Sequence, residues 1–179
     1  MNEDAAKILL VDDEQNVLKA LSRILRDYHL VTAQSGEESL LLAKEIEFDL
    51  VISDYRMPGM DGVEFLKKFI KLQPNAMRMI LTGYADLESA QHAINEAGVF
   101  RFLNKPWNNL EIINAVAVAL EHKRILQENK DLADQVRRQQ ALLKDQDAIL
   151  RALEAEEPGI TKVNWAADGS IIINEDEYE

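Results

Sequence analysis

Four stretches of the chain carry side chains suited to phosphate and metal chemistry: the pair Asp12-Asp13, then Asp54, Thr82 and Lys105. Three carboxylates packed together from two of these stretches repel one another unless a cation intervenes. The set is oxygen-only, with no Cys in the chain, and suits Mg2+, which keeps several waters and shares the rest of its shell with phosphate oxygens. A carboxylate in such a place can attack phosphorus and become an aspartyl-phosphate. The metal and Lys105 would neutralise charge on the transferred group, and the Thr82 hydroxyl offers a bond to a phosphoryl oxygen.

Whether these residues meet depends on the elements that carry them. Lys7-Ile8-Leu9-Leu10-Val11 is short and almost wholly apolar, the pattern of a strand buried on both faces. Val17, Leu18, Leu21, Ile24 and Leu25 then recur at helical spacing. The pairing repeats: strands at Leu30–Ala33, Leu50–Ile52, Met77–Leu81 and Phe100–Leu103 precede helices at about Glu37–Ile46, around Val63–Ile70, near Leu87–Ala97 and from about Trp107. Five strand–helix pairs predict an α/β fold, a doubly wound five-stranded parallel sheet with helices on both faces. Ligands bind such sheets at the carboxyl ends of the strands. Asp12-Asp13, Asp54, Thr82 and Lys105 all fall at or just beyond such ends.

Beyond about Asn114 the character changes. Residues 121–153 contain no Gly or Pro and are rich in good helix formers. A seam at heptad spacing runs Ile125, Asn129, Leu132, Val136, Gln139, Leu143, Gln146, Leu150, Leu153, predicting a two-stranded coiled coil. The alternative is a helix that packs on its own domain or stands solvated. Pro158-Gly159 ends the helix. Ile160–Trp165 and Ser170–Ile173, around Asp168-Gly169, read as a small β-hairpin, followed by an acidic tail. The expected division is 1–122 globular, 123–156 coiled coil and 157–179 hairpin and tail.

The net charge of −12 disfavours nucleic acid and anionic membrane as partners. No apolar run reaches the roughly 18 residues of a membrane span. The acidic start Met1-Asn2-Glu3-Asp4 lacks the basic region of a signal peptide, and the absence of Cys excludes disulfides. Together these point to the cytoplasm.

The runs Asp12-Asp13, Ser53-Asp54-Tyr55-Arg56-Met57-Pro58-Gly59-Met60-Asp61-Gly62, Leu81-Thr82-Gly83 and Asn104-Lys105-Pro106 together resemble the signature of the response regulator receiver domain, over about Lys7 to His122. Each run alone is commonplace; all of them in order are specific. The resemblance implies a flavodoxin-like fold and a phospho-switch, an enzyme only toward its own phosphorylation and dephosphorylation. It implies that Asp54 accepts the phosphoryl group. Asp13, Asp54 and the Arg56 backbone carbonyl would ligate Mg2+, with Asp12 contributing directly or through water. Lys105, before a cis proline in the family, would pair with the phosphoryl group. Thr82 and Phe102 resemble the switch pair, Phe102 lacking the hydroxyl of the commoner tyrosine. Arg56 and Tyr84 would flank the path of hydrolytic water. The phosphodonor would be a separate sensor histidine kinase or a small phosphodonor, since His29, His92 and His122 share no spacing.

Plainer readings exist for single residues. Asp12 or Asp13 could cap the helix ahead of Gln15, Lys105 could serve a structural ion pair, and Phe102 by itself fits a core as well as a switch. Trp107 reads as an anchor for the last helix. The output is less legible. The preferred reading is a homodimer through residues 123–154 that signals to a protein partner rather than DNA. Two alternatives stand beside it. One is an Mg2+-dependent phosphatase with an Asp nucleophile, although that chemistry wants an acid where the chain has Arg56. The other is the receiver piece of a longer regulator, since Arg101–Trp107 resembles receivers followed by cyclic-dinucleotide phosphodiesterase or kinase modules.

Overall fold

The computed structural model describes residues 6–83 and 97–156. The helix expected near Leu87–Ala97, the hairpin with its acidic tail, Tyr84 and His92 lie outside them. The elements are β1 (Lys7–Val11), α1 (Gln15–Ile24), β2 (His29–Ala33), α2 (Gly36–Glu45), β3 (Leu50–Asp54), α3 (Gly62–Leu72), β4 (Met77–Gly83), β5 (Arg101–Lys105) and α4 (Asn109–Glu156). The sheet is parallel throughout, in the order β2-β1-β3-β4-β5. That is the flavodoxin-like order, which reverses at β1 and β3 and opens a crevice at their carboxyl ends.

Alternate side chains of the central strands feed two cores, as the twofold repeat of a strand requires. Leu9, Val11, Val51 and Ile80 pack with Phe65, Leu66 and Phe69 of α3. Ile8, Leu10, Ile52 and Leu81 pack on the other face with Leu18 and Leu21 of α1 and with Ile112, Ala115, Val116 and Ala119 of α4. α2 and α3 start where side chains satisfy free backbone N–H groups. Ser35 Oγ accepts from Glu38 N–H at 3.1 Å while the Glu38 carboxylate accepts from Gln34 N–H at 2.7 Å, a reciprocal cap. Asp61 Oδ1 accepts from Glu64 N–H at 2.8 Å at the start of α3.

β3, β4 and β5 each run two residues past their expected ends, and the last helix starts two residues late. β3 runs on to Asp54, buried throughout, because its last two residues still pair with β4. The last helix begins at Asn109 rather than near Trp107, because Asn108 Oδ1 accepts from Leu110 N–H at 2.8 Å and so caps it there. Trp107 is half-buried against the α1/α4 core, the anchor expected of it.

Two compact units divide between Gln127 and Glu128. In the first, α4 is held at its far end by His122, whose ring stacks on Phe100 at 5.1 Å, and by Lys123, which pairs with Asp49 at 2.5 Å. In the second, the described residues form helix alone, and Leu132, Val136, Leu143, Leu150 and Leu153 are exposed. Leu142 and Ile149, outside the expected seam, are exposed as well. Among the described residues no helix is long and apolar enough to cross a membrane.

Candidate functional site

The carboxyl edge of the sheet gathers the charged residues. Asp12 follows β1, tied there by its N–H to the Ala33 carbonyl at 3.2 Å, and is wholly buried. Its Oδ1 accepts from Glu14 N–H at 2.8 Å and its Oδ2 from Lys105 Nζ at 2.8 Å. One carboxylate thus holds both the turn leading into α1 and the Lys105 ion pair, while the expected cap is not made: Glu14 stands at the N-cap of α1, which has no side-chain cap. Asp54 closes β3, 6% exposed, with Oδ1 2.6 Å from the same Lys105 ammonium. Asp13 stands exposed beside them, and one oxygen from each of the three carboxylates lies within 4.8 Å of the others.

Burial raises the Asp54 pKa above the ordinary carboxylate value; the Lys105 hydrogen bond and charge oppose the rise, and the Asp12 charge adds to it. Burial works against the Lys105 ammonium, yet its bonds to Asp12 and Asp54 carry its pKa above the ordinary lysine value. Three carboxylates facing one ammonium leave an excess of negative charge that a divalent cation balances. The donor set is oxygen throughout, two groups buried and one open to water, which fits Mg2+ with part of its hydration retained.

Thr82 shares this edge on β4, next to Leu81, which pairs with Asp54 across the sheet. It is buried, and its hydroxyl donates to the Gly83 carbonyl at 3.2 Å. Phe102 lies on β5 opposite Ile80 and is 37% exposed. The core reading of Phe102 is thereby corrected: the ring stands at the surface of an edge strand. Arg56 is exposed in the loop after β3.

Some residues that hold the site escape a reading by charge and periodicity. Gly62 starts α3 so close to β3 that an added Cβ would sit 2.0 Å from the Asp54 carbonyl oxygen. Its N–H also donates to the Tyr55 carbonyl at 2.9 Å. Gln73 is buried at the end of α3: its side chain accepts from Phe48 N–H at 2.8 Å and donates to the carbonyls of Ala43 and Ile46 at 2.8 and 2.6 Å. The only sequence signal was the Asp61-Gly62 pair ahead of an apolar helix; nothing marked Gln73, because its partners lie on other elements.

Residues 8–117 match the response regulator receiver domain family, and the chain belongs to it. It is 35% identical over 122 residues to the hydrogenase transcriptional regulatory protein HoxA of Cupriavidus necator, covering 68% of this chain and 25% of HoxA. It is 33% identical over 152 residues to the transcriptional regulatory protein FixJ of Rhizobium meliloti, covering 83% of this chain and 74% of FixJ. The chain thus spans about a quarter of HoxA and most of FixJ. Among solved structures, the signal receiver domain of an HD domain-containing protein from Pseudomonas fluorescens superposes with a TM-score of 0.66 at 36% identity, covering 72% of this chain and 96% of that one.

Proposed function

We propose that this chain is a two-component switch in which Asp54 accepts a phosphoryl group from a sensor histidine kinase. The observation that carries it is the Lys105 ammonium, bonded at once to Asp12 and Asp54 at the carboxyl edge of the sheet. An Asp54 oxygen attacks phosphorus as the bond from phosphorus to the donor's imidazole nitrogen breaks. Lys105 then follows the negative charge from carboxylate to phosphoryl oxygen. Asp12, Asp13, Asp54 and the Arg56 backbone carbonyl are the groups that would hold Mg2+, which supplies charge neutralisation on the transferred oxygens. Thr82 would exchange its Gly83 carbonyl for a phosphoryl oxygen, and the exposed Phe102 ring would turn inward into the space Thr82 leaves.

The division proposed is receiver 1–122, coiled coil 123–156 and a terminal segment 157–179. The output is a homodimer through residues 123–154 acting on a protein partner. The acidic charge favours protein over DNA or membrane. Incubation with acetyl phosphate and Mg2+ is expected to give one retarded band on a phosphate-affinity gel, absent in Asp54→Ala; a band that survives this substitution overturns the assignment. The phosphatase reading predicts rapid, sustained turnover of excess phosphodonor with no phosphorylated chain accumulating, whereas a switch accumulates up to one phosphoryl group per chain and then consumes donor only as fast as its own dephosphorylation.

A second reading has its own support: HoxA and FixJ are named transcriptional regulators, and the chain spans only a quarter of HoxA. The residues would then be the receiver and linker of a longer regulator. A native protein in its own cells with a mass well above that of 179 residues decides for it.

A further inference from the structure

We infer that the second half of α4 pairs with the same segment of a second copy in parallel and in register, each seam residue from Ile125 to Leu153 facing its twin. This rests on the homodimer reading above and specifies its geometry.

The nine seam positions from Ile125 to Leu153 alternate at spacings of four and three, and the six apolar ones, Ile125, Leu132, Val136, Leu143, Leu150 and Leu153, are each between 42 and 60% exposed. An isolated helix in water gains nothing from such a stripe, whereas a partner helix with the same repeat buries it. Residues 128–156 carry seven acidic and five basic side chains, so two copies approach without the repulsion that the whole chain's −12 would impose. Lys130, Arg137, Lys144 and Arg151 recur at spacings of seven, each one residue past a seam position, which leaves the bases on the rim. Arg137 there pairs with Asp134 of its own helix at 3.1 Å.

The polar seam positions choose the alignment. Asn129, Gln139 and Gln146 each carry an amide that both donates and accepts, so each satisfies its twin across the seam. Sliding one helix by seven residues sets Asn129 against Val136, Leu132 against Gln139 and Gln146 against Leu153. Every such layer buries an amide against hydrocarbon. One antiparallel alignment pairs Asn129 with Gln146 but places Val136 opposite Gln139 twice. Another, centred on Asp134, pairs Leu132 with Val136, Asn129 with Gln139 and Ile125 with Leu143. It continues with His122 opposite Gln146, but the His122 ring is already stacked on Phe100 of its own chain and Lys123 is held by Asp49. It also leaves Leu153 with no seam partner. The parallel alignment uses the whole seam, mismatches no layer and draws on no residue already engaged.

The chain has no cysteine, so single replacements report the alignment directly. Leu143→Cys and Leu150→Cys, made separately in the full chain and oxidised, are each expected to give a covalent dimer. In the antiparallel arrangement centred on Asp134, two copies of residue 143 are about 27 Å apart and cannot join. A disulfide between Ile125→Cys and Leu143→Cys chains in a mixture, with neither joining itself, overturns the parallel alignment but leaves a dimer. A monomeric mass by light scattering at concentrations where the proteins are mixed overturns the homodimer reading and this inference with it.

Discussion

The carboxyl edge of the sheet and the second half of α4 break the ordinary rule of protein surfaces in opposite directions. At the sheet edge, Asp12 and Asp54 are charged groups taken out of water. Along residues 128–156, five leucines, Val136 and Ile149 stand in water on a helix. A buried charge and an exposed apolar row are the two informative departures from normal burial. The first is tolerated because each carboxylate meets Lys105, and no buried side-chain polar atom among the described residues lacks a partner. The second has no compensation within the chain's described residues, which is why it points to a second molecule.

Removing the compensation at the sheet edge has the largest expected effect. Lys105→Ala should slow phosphate incorporation from acetyl phosphate about 100-fold or more, since a preorganised charge facing the transferred group is lost; stopped-flow fluorescence of Trp107 would follow it. A rate within a few-fold of the native chain would make Lys105 a structural group only. The two halves of α4 can then be set against each other. Ile112→Ala empties a fully buried position and should destabilise the first unit by about 3 kcal/mol in urea unfolding. Leu143→Ala removes an exposed side chain, so it should leave that transition in place and weaken self-association in sedimentation instead. Equal losses of stability from both would mean that the two halves of α4 are packed alike.

Gly62→Ala sharpens the same contrast at the sheet edge. Its methyl group collides with the Asp54 carbonyl, so a loss of about 2 kcal/mol is expected, with slower phosphorylation as Asp54 shifts. The smallest effect concerns pH in metal-free buffer. The folded-state pKa of Asp54 is raised, so the fold binds that proton more tightly than the unfolded chain does. Stability from this group is therefore lost as pH rises from the ordinary carboxylate range through the raised value. Asp54→Asn abolishes that loss: its Tm should exceed the native value at neutral pH and converge with it in acid. A native advantage at neutral pH would show that the Lys105 bond outweighs burial.

Much of this was legible in one dimension. The apolar runs at Lys7–Val11 and Leu50–Ile52 could only be strands buried on both faces, and their alternation with helical periods dictated the parallel sheet. Once the sheet is wound in that order, Asp12, Asp13, Asp54 and Lys105 have to converge. The exposed position of Phe102 was not legible, because an aromatic residue in a strand reads the same whether its strand is central or at an edge. Gly62 and Gln73 were illegible for a related reason: what they contact is backbone on elements far away in sequence.

Residue order alone determined the elements, their winding and the identity of the charged cluster, because periodicity and chemistry are properties of neighbours along the chain. Tertiary structure decided how one ammonium is shared between two carboxylates, how near α3 comes to β3, and where α4 stops being held by Asp49 and Phe100. Those are distances between segments brought together only by packing, and no local pattern encodes them.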